Sequence, residues 1–267
     1  MKIALYQGAG KPTKVDENLA IIQRQAAAAA DRGADLIIFP ELFLTGYNIG
    51  RTVQELAEPT DGSSCQKAAH IAREADIAIL YGYPERLDKE VYNSASLIDR
   101  RGHTRANYRK THLYGSFEKS CFKPGETLLI AELEDLKIGI LICYDVEFPE
   151  AVRALTNAGA DFIAVPTALM KDYCRVAEHV VPARAYESEI FVAYVNRCGS
   201  EGDTTYCGRS CLMGPDGREI LRADISEELL IADIDKNAVT EERESNPVLK
   251  DLRPDLYKVP VYTIGDS

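Results

Sequence analysis

The feature that most constrains this chain is a recurring short apolar run that stops abruptly at glycine, proline or a charged residue. KIALYQGAG, DLIIFP, IAILYGYPER, KIGILICYD, DFIAVPTA, IFVAYVNRCG and ELLIADID all have this form, and each reads as a short buried strand. Helical stretches lie between them. Residues 17–32 place Leu19, Ile22, Ala26 and Ala30 on one stripe with Gly33 as the stop, and 63–75, 149–159 and 176–188 follow the same logic. Strands alternating with helices predict an α/β protein. Two hairpins make the sheets partly antiparallel: VYNSASLID and HTRANYRKTHL about the turn at 99–102, and strand-like runs on either side of Pro215-Asp216-Gly217.

The chain has 267 residues, 46% of them hydrophobic, which is enough for one large core, so a single domain over 1–267 is expected. The segment after about residue 236, rich in Glu, Asn and Pro, reads as a less regular extension that packs on a partner subunit. Lys and Arg total 31 against 42 Asp and Glu, a net charge of -11, which argues against nucleic acid as a partner. MKIALYQGAG lacks the long apolar region and cleavage site of a secretory signal, and no run approaches a membrane span, so a soluble, cytoplasmic protein without a membrane partner is expected. The cysteines at 65, 121, 143, 174, 198, 207 and 211 are odd in number and include no CxxC pair. They read as reduced thiols. With the histidines at 70, 103, 112 and 179 scattered, no metal site is expected.

Three strand ends carry chemically unusual residues. Glu41 follows a strand and a proline in DLIIFPELFLTGY, Lys110 follows a strand-like run in NYRKTHL, and Cys143 ends another in ILICYDVEFPE. In α/β folds, strand ends are where distant parts of a chain converge on a cleft. Each residue alone has a plainer reading: Glu41 as a carboxylate at a helix start, Lys110 as an exposed charge, Cys143 as a small core residue.

Taken together, and with Glu118 in FEKSCFKPGE, these motifs resemble the nitrilase superfamily of carbon-nitrogen hydrolases in order and spacing, and VPTA, RAYE and GPDG extend the resemblance over nearly the whole chain. The resemblance implies a four-layer α-β-β-α sandwich, a Glu41-Lys110-Cys143 triad supported by Glu118, and a homodimer in which helices following Cys143 and Tyr173 make contact. The chemistry is consistent with those residue types. An amide carbonyl needs a strong nucleophile, and a thiol serves once its proton is removed. Glu41 is the implied base. A carboxylate near pKa ~4 accepts poorly from a thiol near ~8.5, so the site must bring the two values together by burial and nearby positive charge. Lys110 supplies that charge and, with the Tyr144 backbone N–H, an oxyanion site. His112 offers an alternative base of the papain type, but the resemblance gives that role to Glu41. No cofactor is implied.

Within the superfamily the chain resembles the aliphatic amidases related to 5-aminopentanamidase, through YQGA, GYNIG and CYDVEFPE. Glu147 stands where the branch acting on acidic amides tends to carry Arg, so a small amide bearing an amine is the expected substrate, unless Glu147 pairs with Arg153 or Arg175. N-carbamoylputrescine-type amidases, many of which have Trp after the nucleophile where this chain has Tyr144, and ω-amidases are the alternatives. A catalytically silent interaction module is a further alternative, which the intact triad argues against.

Overall fold

Alternating apolar runs and alanine-rich stretches become strands and helices in the computed structural model, which describes residues 1–256. In chain order the first half supplies β1 (Lys2–Gln7), α1 (Val15–Asp31), β2 (Leu36–Ile38), α2 (Thr52–Glu55), α3 (Ser63–Ala75), β3 (Ala78–Leu87), β4 (Glu90–Ile98), β5 (Thr104–Arg109) and α4 (Gly115–Cys121). The second half adds β6 (Ile130–Leu133), β7 (Leu136–Ile140), α5 (Pro149–Asn157), β8 (Phe162–Thr167), α6 (Val181–Ser188) and β9 (Phe191–Asn196). It closes with the short pair β10 (Ser200–Glu201) and β11 (Thr204–Thr205), then β12 (Cys211–Met213), β13 (Glu219–Arg222), β14 (Glu228–Asp233) and α7 (Asn237–Ser245).

The long strands form two six-stranded sheets, ordered β14-β1-β2-β3-β4-β5 and β13-β12-β9-β8-β7-β6. Each is parallel at its centre and antiparallel toward its edges, as the hairpins required. Strand alternation sorts the first sheet into two apolar faces. Ala4, Tyr6, Ile37, Phe39 and Ile79 pack with Leu19, Ile22, Ala68 and Ile71 of α1 and α3. Ile3, Leu5, Leu36, Ile38 and Leu80 join the core of the second sheet, which also takes in Ala151, Leu155, Val181 and Ala185 of α5 and α6. The result is the α-β-β-α sandwich. Strands covered on both faces explain why the sequence runs are apolar throughout rather than alternating.

Three expectations, on the strand before Cys143, the helix at 176–188 and the cysteines, are corrected, and part of the segment after residue 236 is described. The run KIGILICYD is a strand only to Ile140; Cys143 has φ +47°, outside the extended region, and opens a tight turn over Cys143–Glu147. The helix expected at 176–188 begins with a wide turn at Val176–Val180 before α6, because Pro182 has no N–H for the carbonyl four residues back. The segment after residue 236 contains α7, with Val239 buried in the main core, and Glu189 accepts the Val248 and Leu249 N–H groups at 3.0 and 3.1 Å. These residues touch their own chain, and the segment's exposed positions are available to a partner subunit; residues 257–267, also part of the expected extension, lie outside the described residues. Finally, Cys174 and Cys207 form a disulfide with Cα atoms 5.6 Å apart, whereas 65, 121, 143, 198 and 211 are free thiols. The pairing depends on tertiary contact: the Cys207 N–H donates to Leu169 O at 2.8 Å, drawing the 207 segment against the loop after β8. Among the described residues, no helix is long and apolar enough to cross a membrane.

Candidate active site

Glu41 lies just beyond β2, where the chain crosses Gly82 of β3. A Cβ at Gly82 would come within 2.4 Å of the Leu42 nitrogen and 2.8 Å of the Glu41 Cα, so glycine is what lets this loop sit so close to the sheet. Leu42 itself has φ +47°, a strained value for a branched residue. Lys110 follows β5 directly, with its N–H on Asn93 O at 2.8 Å, and Glu118 is carried by α4.

The three charged groups meet. Lys110 Nζ stands 2.7 Å from Glu41 Oε1 and 2.7 Å from Glu118 Oε1, and the three side chains have no solvent exposure. Asn93 Nδ2 donates to the same Glu41 oxygen at 2.7 Å, while Glu41 Oε2 is buried with no hydrogen-bond partner among the described residues. Glu118 is held in turn by the Tyr47 hydroxyl at 2.7 Å and the Tyr114 N–H at 2.8 Å. Burial opposes the Lys110 charge, but Glu41 and Glu118 outweigh it and hold the ammonium form well above the ordinary lysine range. Burial pushes the Glu41 carboxyl up despite the pull of Lys110.

Cys143 lines a cavity of about 230 Å³ together with Tyr47, Tyr114, Tyr144, Glu147, Leu169, Tyr173 and Arg175. Burial and then Glu41 push its thiol well up, against Lys110 and the Ala168 N–H. The expected convergence of the two pKa values is therefore only half realised: Glu41 rises toward the thiol, but the thiol rises too, so at rest the sulfur keeps its proton. The Tyr144 N–H has no acceptor among the described residues. Glu147 is half-buried on the cavity wall, with burial raising its pKa and Arg175, Arg184 and Lys110 lowering it. No ion pair within 4.0 Å joins it to Arg153 or Arg175 among the described residues, although Arg175 lines the same cavity and is the leading charge that lowers its pKa.

Two residues that sequence reasoning did not single out hold this arrangement. Asn93 lies in a strand that also carries Ser94 and Ser96, so nothing local marked it as the donor to Glu41. Asp145, fully buried, accepts the Tyr108 hydroxyl at 2.8 Å, the Thr111 hydroxyl at 2.9 Å, the His112 N–H at 2.8 Å and the Ile142 N–H at 3.0 Å. It ties the loop after Lys110 to the turn before Cys143. His112 is spent on this structure: its Nδ1 lies 2.8 Å from Asp145 and its ring stacks on Phe148 at 3.9 Å, outside the Cys143 cavity.

With this geometry in view, the profile for Carbon-nitrogen hydrolase matches residues 2–244. The chain belongs to the carbon-nitrogen hydrolase family. This hydrolase is 48% identical over 260 residues to a protein described as "Hydrolase in pqqF 5'region" from Pseudomonas protegens, spanning 96% of this chain and 90% of that one. It is 36% identical to an (R)-stereoselective amidase of a Pseudomonas species, over 84% of this chain and 81% of that one. Among solved structures, an amidase from Nesterenkonia sp. superposes with a TM-score of 0.87 at 34% identity, covering 97% of this hydrolase and 95% of that chain. A glutamine-for-glutamate variant of that amidase carries the acetamide moiety of fluoroacetamide covalently on its active-site cysteine. The hydrolase is thus an amidase of the nitrilase superfamily, with the two-sheet fold expected for it.

Proposed function

We propose that this amidase hydrolyses a small aliphatic amide bearing an amine, releasing the carboxylic acid and ammonia through a thioester on Cys143. The observation that carries the reading is the divided Glu41 carboxylate: one oxygen is fixed by Lys110 and Asn93, and the other is a buried acceptor without a donor. That free oxygen takes the Cys143 proton as sulfur attacks the amide carbon. Lys110 and the Tyr144 N–H receive the oxyanion. When the C–N bond breaks, Glu41 returns the proton to the departing nitrogen, and ammonia leaves. Glu41 next takes a proton from water as its oxygen adds to the thioester carbon; the C–S bond breaks, and the sulfur recovers the proton. Glu118 balances the Lys110 charge, so the ammonium is not drawn into proton transfer. No step needs a cofactor, and the small cavity suits a small-molecule amide.

Glu147 supports the amine-bearing substrate. Its carboxylate makes no ion pair among the described residues, and the rings of Tyr47, Tyr114, Tyr144 and Tyr173 line the same cavity; Arg175 on that wall offsets part of the charge, and the carboxylate and rings together favour a cationic end group. Glu147→Arg is expected to shift the ratio of kcat/KM for 5-aminopentanamide over glutarate monoamide by about tenfold or more toward the acid amide, since reversing one close charge is worth over ~1.4 kcal/mol. An unchanged ratio sinks the assignment. The sign of the pH effect follows from the raised Glu147 pKa. As pH falls through that value the carboxylate becomes neutral, so KM for the amino amide rises while KM for a neutral aliphatic amide stays flat.

The deciding experiment is ammonia release from 5-aminopentanamide, N-carbamoylputrescine, glutarate monoamide, a neutral short amide and the matching nitrile. Preference for 5-aminopentanamide supports the reading. N-carbamoylputrescine, also cationic and compatible with Glu147, would keep the mechanism and change the substrate; turnover of none would leave a silent module. A cytoplasmic homodimer remains part of the proposal, its dimeric state tested by sedimentation.

A further inference from the structure

Arg197 directly follows β9 and is fully buried, an uncommon place for a guanidinium with no substrate to bind. Its Nε donates to Glu41 O at 3.1 Å, its Nη2 to Leu42 O at 2.9 Å, and its Nη1 to Ala9 O at 2.6 Å and to Glu201. The Thr167 carbonyl accepts both the Arg197 and the Glu41 N–H, each at 3.3 Å. Glu201 Oε2 takes the Tyr47 N–H at 2.9 Å, the Asn48 N–H at 2.8 Å and the Tyr206 hydroxyl at 2.6 Å. Tyr47 then donates its hydroxyl to Glu118.

The polar groups therefore close a circuit. Arg197 grips the backbone of Glu41 and of strained Leu42 on one side, and through Glu201 and Tyr47 it reaches Glu118 on the other; Lys110 bridges the two carboxylates. We infer that Arg197 and Glu201 are positioning residues for the amidase reaction, setting Glu41 and Glu118 against Lys110 from outside the substrate cavity. The inference rests on the Glu41-Lys110-Cys143 reading above. A planar fork of donors can serve three carbonyls and a carboxylate at once; an ammonium cannot reproduce that geometry. A buried ion pair is weak support for stability in itself, so its full set of directional partners points to placement. Neither residue lines the Cys143 cavity.

The test measures kcat, KM and the acid limb of the kcat/KM–pH profile for Arg197→Lys, Glu201→Gln, Tyr47→Phe and the Glu201→Gln/Tyr47→Phe pair, using the best amide of the panel. Arg197→Lys and Glu201→Gln are expected to lower kcat about a hundredfold, the scale of an ångström's misplacement, with KM changed less than about threefold. Because a displaced Glu41 loses part of the pull of Lys110, its acid limb moves to higher pH. A structural role alone would reduce the active fraction and scale the profile without moving it. The double variant is expected to lose less than the product of the single losses, since both changes break one circuit. If Arg197→Lys fails to fold, Glu201→Gln carries the test. An unmoved acid limb in the folded variants, or full additivity, overturns the inference. Retained turnover by Cys143→Ala would remove the mechanistic reading instead, so the two failures are distinguishable.

Discussion

Cys143→Ala is expected to lower kcat/KM by about four to six orders of magnitude while leaving the melting temperature within a few degrees of the parent. The reaction as proposed passes through a bond to sulfur, and alanine offers no replacement. The packing loss is small, because the residue is only partly buried at the edge of the apolar body and the change removes one atom, on the order of 1 kcal/mol. Ammonia release and a thermal melt on one preparation check it. Parent-like turnover would dismiss the thioester route.

Lys110→Met is the second large effect. It removes the proposed oxyanion donor and the charge between two buried carboxylates. Turnover is expected to fall at least about a thousandfold. Stability should fall by about 3–5 kcal/mol at neutral pH, the usual cost of leaving a buried charge unpaired. The pH dependence gives a sharper check. Burial already raises Glu41 above its unfolded value and Lys110 pulls it back, so without the lysine it rises further. The folded state then binds the extra proton more tightly than the unfolded chain, and stability is retained at low pH and lost as pH rises through the folded value. The gap between the melting temperatures of variant and parent should be smallest at the acid end and widen as pH rises. A gap that widens in the acid direction would contradict this account of the site.

The ends at Glu41 and Cys143 were legible in the sequence because apolar runs halt there, fully covered strands leaving continuous apolar text, whereas Lys110 follows the more polar strand TRANYR. Glu118 was less legible from residues alone. FEKSC looks like an exposed turn of helix, and its burial follows from a partner, Lys110, eight positions away across a loop. Asn93, Arg197 and Glu201 gave no local signal of their duties, since each acts through hydrogen bonds to carbonyls and carboxylates brought together only by the two sheets. The Cys174–Cys207 bond escaped notice for the same reason: its ends are 33 residues apart and meet through the loop after β8. Backbone strain at Leu42 and Cys143 is invisible to propensity, which favours extended or helical values there.

The proposed working groups come from opposite halves of the sandwich. Glu41 and Lys110 ride on the first sheet, after β2 and β5, whereas Cys143 and Arg197 ride on the second, after β7 and β9. Alignment of the sulfur with its proposed base is therefore a property of the seam between the sheets, not of either sheet alone. Modest urea that lets the layers slide by an ångström should silence the enzyme while its far-ultraviolet circular dichroism stays native, making lost turnover the earliest sign of slippage.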